Sequence, residues 1–253
     1  MPASEDYYAA YCGMRDRNAK IILFEGINKD TGESDVDCIP KRSMVIAPID
    51  ETEEFFRRHK IKVRPPLNIP IYLYPMLKRD VHVTSGEDFK RFYLNRNGPR
   101  PIFAKPNDRL KEWASGVLTN HGLDSIMMDE IRDESEVLVS DVVEMLSEYR
   151  VFVDMGKIVG IKNYRGEFDI FPDMKYINRC FEIYEASGDH PVSYTLDFAV
   201  SAKGETTFVE ANDAWSIGSY GLEYDVYTKL LIHRWLEIMR KENGIDYGTE
   251  VFK

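Results

Sequence analysis

Tyr194-Thr195-Leu196-Asp197-Phe198-Ala199-Val200-Ser201 and Thr206-Thr207-Phe208-Val209-Glu210-Ala211 flank Lys203-Gly204, and the reading of this stretch decides the fold. Two β-rich runs around a Lys-Gly turn predict an antiparallel hairpin. With the turn centred between Lys203 and Gly204, Asp197 faces Glu210, and strand alternation sets Asn212 on the same face as Glu210. Side chains facing each other in a ladder lie ~4.5–5.5 Å apart at Cβ, and like charges there repel. Paired carboxylates then need a counter-charge or a shared proton. A hard divalent cation supplies the charge, and an amide oxygen is a suitable third ligand. Magnesium takes one or two carboxylates and fills its octahedron with waters and substrate phosphates. Asp197, Glu210 and Asn212 are therefore candidate magnesium ligands beside a nucleotide. The plain alternative is a solvated sheet face, since the chain has 43 acids and a turn of odd length would separate the pair.

Working outward, the segments 148–154 and 158–164 surround Met155-Gly156-Lys157 and predict another hairpin. A three-residue loop there sets Arg150 opposite Lys162, two cations that fit together only with a polyphosphate between them. The alternative is that Arg150 pairs with Glu148 or Glu144. Lys105 ends a short apolar run just before Pro106, and 137–140 predicts a strand. Asp173 and Met174 follow Pro172, which opens a helix with Met174, Ile177, Phe181 and Tyr184 at helical spacing. A last helix over about 225–240 turns Val226, Leu230, Leu231, Ile238 and Met239 inward. Towards the N-terminus, 20–27 and 44–49 read as strands, 51–59 and 86–96 as helices, and Pro65, Pro66 and Pro70 forbid regular structure between them. Asn97-Gly98-Pro99 marks a boundary, and the mix of elements is α+β or α/β.

Composition narrows the function. The formal net charge is −10 in 253 residues, a poor basis for tracking nucleic-acid phosphates over a broad surface. No run of 18 apolar residues suggests a membrane span. Met1-Pro2-Ala3-Ser4-Glu5-Asp6 lacks the apolar stretch of a secretory signal, so a cytoplasmic location is expected. Cys12, Cys38 and Cys180 form no paired motif, and the five histidines lack zinc-ligand spacing. Neither a P-loop nor a dinucleotide-binding glycine pattern is present. Gly218-Ser219-Tyr220-Gly221 is one residue short of a nucleophile elbow.

Phe103-Ala104-Lys105-Pro106, Val137-Leu138-Val139-Ser140-Asp141-Val142-Val143, Glu148-Tyr149-Arg150-Val151-Phe152-Val153, Asp197 and Phe208-Val209-Glu210-Ala211-Asn212 occur in that order. The set resembles the ATP-grasp superfamily, and within it a clade of small phage and bacterial proteins marked by one arginine and two lysines. The ribosomal-protein glutamate ligases are a more distant likeness. The resemblance covers about 101–222, and Pro66-Leu67-Asn68-Ile69-Pro70 is similar to the N-terminal part of that clade.

The resemblance implies an α+β ATP-grasp fold, with two α+β lobes gripping a nucleotide after a small α/β region. Residues 1–98 would form that pre-ATP-grasp-like region and 99–253 the ATP-grasp domain, with lobe one at about 99–140 and lobe two at about 144–253. It assigns Lys105 to ATP phosphates and the linker Ser140, Asp141, Val142 and Val143 to adenine. Asp141 or Glu148 would lie near the ribose, and Arg150 and Lys162 would face the γ-phosphate and an acyl intermediate. Asp197, Glu210 and Asn212 would hold Mg2+, where pairing geometry also points. The implied activity joins a carboxylate to an amine through an acyl phosphate, with ATP, an acid and an amine as partners and homodimerisation left open. A small-molecule kinase and a non-catalytic ATP-binding module are the rivals. One departure concerns the phosphate-covering loop, which is often glycine-rich in the superfamily. Here 107–115 contains no glycine, so Asn107-Asp108-Arg109-Leu110-Lys111 would cover phosphates with side chains. The loop 215–221 is the candidate grip for the acceptor, and Lys105, Arg150 and Lys162 together form a local positive pocket.

Overall fold

The computed structural model describes residues 4–26, 39–94, 101–110, 112–119 and 124–245. Helix α1 (Glu5–Asp16) starts at Ser4, whose hydroxyl oxygen accepts a hydrogen bond from the Tyr7 amide, and Glu5 and Asp6 in its first turn complement the helix dipole. Helix α2 (Ile49–Arg58) carries Asp50 and Glu51 first and Arg57 and Arg58 last, the charge order expected from the sequence. The prolines keep 61–70 irregular, and a 3₁₀ helix follows at Ile71–Met76.

Eight strands make two antiparallel sheets. The first, in order β1-β4-β2-β3, contains β1 (Val81–Ser85), β2 (Ile102–Pro106), β3 (Gly116–Leu118) and β4 (Glu136–Asp141). Helices α3 (Gly86–Leu94) and α4 (Asp124–Glu130) accompany it, and Phe89, Tyr93, Ala104, Leu118, Val137 and Val139 form its core. The second sheet, in order β6-β5-β7-β8, contains β5 (Met145–Asp154), β6 (Lys157–Gly166), β7 (Ser193–Ser201) and β8 (Thr206–Asp213). Helix α5 (Met174–Ser187) packs on one face, where Ile177, Cys180 and Tyr184 meet Val151, Leu196, Phe198 and Phe208. Helix α6 (Tyr224–Leu236), continued by a π turn at Glu237–Glu242, joins α1 in a cluster with Phe152 of β5. Residues 142–144, irregular in structure, connect the two sheets.

Several expectations change. Residues 20–26 and 44–48 are irregular chain rather than strands, and residue 27 lies outside the described residues. Their β-branched and aromatic content serves burial: Phe24 and Val45 pack into a cluster with Trp235 and Ile238, so the β-type composition reflects packing without a ladder partner. Met174 keeps the expected helical spacing but is exposed, because it opens the first turn of α5 next to the cap Asp173. Strand β1 was not expected; as an edge strand it alternates poorly in burial. Asn97-Gly98-Pro99, Cys38 and Lys111 lie outside the described residues. Cys12 and Cys180 are buried and free. Among the described residues no helix is long and apolar enough to cross a membrane.

Candidate functional site

One transverse row of side chains crosses the whole second sheet. Lys162 on β6 pairs with Arg150 on β5, Arg150 with Asp197 on β7, and Asp197 with Glu210 on β8. Residues opposed in register share a face, so two cations are followed by two carboxylates along one line. Both hairpins reach this register through an extra residue. Around Met155-Gly156 the turn is a two-residue one that pairs Asp154 with Lys157, and a bulge between Phe152 and Val153 restores Arg150 opposite Lys162. In the other hairpin Phe198 pairs with Phe208, and a bulge between Asp197 and Phe198 leaves Val209 over, which brings Asp197 opposite Glu210. The expected pairings are present, but neither expected turn is. Bulges re-aim side chains and are frequent beside functional sites.

The row is tightly bonded. Arg150 donates from Nε and Nη2 to the two Asp197 oxygens at 2.8 and 2.6 Å, with both residues buried. Lys105, at the end of β2, reaches across from the first sheet to Glu210 Oε2 at 2.5 Å. Asn212 Nδ2 donates to Asp197 Oδ2 and Glu210 Oε1, both at 3.2 Å. Burial pushes the Asp197 carboxyl up to about 6 against the pull of Arg150. Burial would also raise Glu210, yet Lys105 holds it below its usual value, helped by Asn212 and Arg150. The Arg150 guanidinium is desolvated, but Asp197 more than compensates and raises its pKa. Thus Lys105 and Arg150 do not stand free in a positive pocket, as the sequence suggested; they neutralise the carboxylates. Of these three cations only Lys162 makes no ion pair among the described residues, and three cations against two acids leave one positive charge.

The donor set suits a hard cation. Among the described residues no group of three or more His, Cys, Asp and Glu gathers anywhere, so a metal here would rest on two carboxylates and an amide. Two observations fit magnesium. Asn212 lies within hydrogen-bond distance of both acids, which face each other in the ladder, and Thr195 Oγ1, on the residue opposite Asn212, is buried with no hydrogen-bond partner among the described residues. A half-turn of the Asn212 amide presents Oδ1 in place of Nδ2.

The remaining sequence-derived residues lie around the row. Glu148, two residues before Arg150, accepts from Tyr164 Oη at 2.9 Å and pairs with Arg165 at 3.3 Å. Asp141 is exposed at the end of β4, and its side chain accepts from the Asp80 amide at 3.3 Å. Val142 and Val143 occupy the link between sheets, Val142 with its side chain exposed. Ser140 Oγ accepts from Arg79 Nε at 3.0 Å.

Sequence reasoning missed several residues. Arg79 also donates to the carbonyls of Phe208 and Val209, which clasps the bulge beside Glu210 to the first sheet; desolvation lowers its pKa. Nothing local announces it, because its partners are 61 to 130 positions away. Tyr164 and Tyr220 stack with centroids 4.9 Å apart, and the Arg150 guanidinium lies 5.7 and 4.9 Å from their rings. Period-two reading from Lys162 finds Tyr164. Tyr220 comes from the 215–221 loop, which Asp6 of α1 pins by accepting from the Ser219 amide and hydroxyl, both at 2.6 Å. Asn68 bridges Ala211 of β8 through its backbone and donates to the Asn107 carbonyl at 2.6 Å.

Two sheets clasped across a short link, with a carboxylate pair on the second and a lysine reaching it from the first, define the ATP-grasp fold class. The model for an ATP-grasp domain, the second family of the clade named for one arginine and two lysines, matches residues 76–230. That is more than half of the chain, which belongs to this family. No curated protein matches by sequence. Among solved structures, D-alanine–D-alanine ligase from Bacillus anthracis complexed with ATP is similar over 96% of this chain and 96% of that chain, at 14% identity and a TM-score of 0.50. D-alanine–D-alanine ligase from Helicobacter pylori (73% and 65% covered, 14% identity, TM-score 0.48) and a RimK domain ATP-grasp protein from Sphaerobacter thermophilus (65% and 64%, 15%, 0.46) also match. The chain spans just under two thirds of the length of these last two. At such identities the likeness concerns the fold.

Proposed function

We propose that the protein is an ATP-dependent carboxylate–amine ligase that works with Mg2+ through an acyl phosphate. The observation that carries this reading is the row Lys162–Arg150–Asp197–Glu210, with Asn212 bridging its acids and Lys105 entering from the other sheet. In the reaction, a substrate carboxylate oxygen bonds to the γ-phosphorus of ATP and ADP leaves. An amine then bonds to the acyl carbon, the C–O bond to phosphate breaks, and the amine gives up a proton. Asp197, Glu210 and Asn212 would hold magnesium, which supplies charge neutralisation on the polyphosphate. Lys162, which makes no ion pair among the described residues, would meet the γ-phosphate. Arg150 keeps Nη1 of its fork for the oxygen that develops charge, while Asp197 and the two tyrosine rings fix its orientation. Lys105 exchanges Glu210 for phosphate oxygens when a nucleotide enters. The 140–143 segment takes adenine along its backbone, and Glu148 or Asp141 takes the ribose.

The division at about residue 98 stays part of the proposal, with β1 and α3 as elements upstream of it that serve the first sheet. So do the cytoplasmic setting and a homodimer. A nucleotide-binding module without turnover is the second reading, favoured by the lack of glycine in 107–115. Incubation with Mg-ATP, pooled carboxylic and amino acids and hydroxylamine separates the readings. Carboxylate-dependent hydroxamate and ADP support the ligase, a stable phosphorylated product a kinase, and ATP binding without ADP the module.

A further inference from the structure

We infer that a cleft of about 440 Å³ beside Asn212 binds a substrate with a second carboxylate, held by Arg64. The inference rests on the ligase reading and names the substrate class for that site. The cleft lies between the 61–68 segment with α2 and the end of β8, and meets the candidate metal ligands only at Asn212. None of Lys105, Arg150, Lys162 or the 140–143 link lines it, while Asp108, Arg109 and Leu110 of the proposed phosphate-covering segment form part of its wall, so it adjoins the proposed nucleotide site. A substrate there presents one end to the row and the other to the far wall.

The charges of the cleft are unequally satisfied. Asp213 is neutralised from behind by Arg234, at 2.6 and 2.8 Å. Arg57 is held by Glu54 in a two-pronged pair at 2.7 and 2.6 Å. Arg109 makes only longer contacts, 4.0 Å to Asp108 and 3.6 Å to Glu112, and is largely exposed. Arg64 differs: among the described residues its Nε is buried without a hydrogen-bond partner, and its ion pair to Asp189 is 3.9 Å from Nη1. Because Nε is closed to solvent, a ligand in the cleft would meet the terminal nitrogens of this loosely paired, partly exposed side chain, and a guanidinium matches a carboxylate in shape as well as charge. Phe56 and Trp215, ring centroids 5.3 Å apart, give the same cleft an aromatic wall. A short aliphatic chain with a carboxylate at each end meets all three features: Asn212 at one end, the aromatic wall, and Arg64.

Glutarate and pentanoate, which differ by that second carboxylate, test this directly on the full chain with MgADP. Calorimetric titration should show glutarate binding at least about 10-fold tighter than pentanoate. This corresponds to a single charge-assisted hydrogen bond in a partly wet site, at about 1.4 kcal/mol per decade. Arg64→Ala should remove the preference and leave MgADP affinity unchanged, and Arg64→Lys should keep part of it. Equal affinity for the two acids overturns the inference, and that comparison needs no variant to fold. Loss of MgADP affinity in Arg64→Ala also overturns it, because the cleft would then serve the nucleotide. Hydroxamate formed as readily from pentanoate as from glutarate leaves the ligase standing and sinks the inference. Selective glutarate binding with no ADP released under Mg-ATP supports the anion-binding cleft and overturns the ligase.

Discussion

At the residue scale, the two acids of the site carry different burdens. Asp197 lies wholly inside the sheet and is the partner of a buried arginine, whereas Glu210 is only partly buried, with a lysine that approaches from the other sheet. Removing one member of a buried pair strands the other charge and costs about 3–5 kcal/mol. Asp197→Ala should therefore lower stability by about that much in urea melts, and adding Arg150→Met should recover most of it. Glu210→Ala should fold with a near-normal midpoint yet lose magnesium-dependent ADP formation; wild-type rates in that variant would remove Glu210 from the ligand set.

At the scale of elements, α1 holds the 215–221 loop, the proposed acceptor grip, through Asp6, so its seat on α6 matters to the site. The helices cross where Gly13 meets Thr228: a Cβ on Gly13 would lie 2.0 Å from Thr228 Oγ1. Glycine inside a helix costs about 0.5–1 kcal/mol relative to alanine, and here the close approach explains it. Gly13→Ala should push the helices apart and destabilise by about 1–3 kcal/mol, and Gly13→Ala with Thr228→Ala should restore part of the loss. Asp225, bound by Lys229 and by Arg17 at the end of α1, is held below the usual carboxylate value. A depressed carboxylate contributes stability above its ordinary value and loses it as pH falls through the lowered one. Amide exchange in α1, corrected for intrinsic rates, should accelerate on acidification below about pH 4 at low salt. Asp225→Asn should show the faster exchange already at neutral pH.

At the scale of the whole molecule, the two sheets are joined by residues 142–144, the Lys105–Glu210 pair and the Arg79 clasp on the β8 bulge. On the proposed reading, a nucleotide enters between them and replaces Lys105's carboxylate with phosphate oxygens while the link and the clasp stay. Hydrogen exchange with an ATP analogue and magnesium should therefore show new protection at 105–110 and 140–143 and little change in α5. Protection confined to α5 would place the nucleotide elsewhere. Arg79→Ala should loosen the bulge and weaken nucleotide binding roughly 10-fold, the worth of about one charge-assisted hydrogen bond, with a smaller effect on the melting temperature.

The amino-acid order alone determined the two long hairpins, helices α2, α3, α5 and α6, and the separate pairings of Asp197 with Glu210 and of Arg150 with Lys162. These follow from short-range rules: period two in strands, period 3.6 in helices, and charge order at helix ends. Some details escaped those rules. The two bulges that restore the Arg150–Lys162 and Asp197–Glu210 pairings depend on how each strand fits its second neighbour. The β-like runs near residues 20 and 44 found burial without a ladder partner. Only the tertiary structure decided that Lys105 and Arg150 would sit on carboxylates, that Arg79 would clasp β8, and that Arg64 would keep a buried donor without a partner. Each is a contact between residues far apart in the chain, and local preference carries no information on which distant charge will arrive.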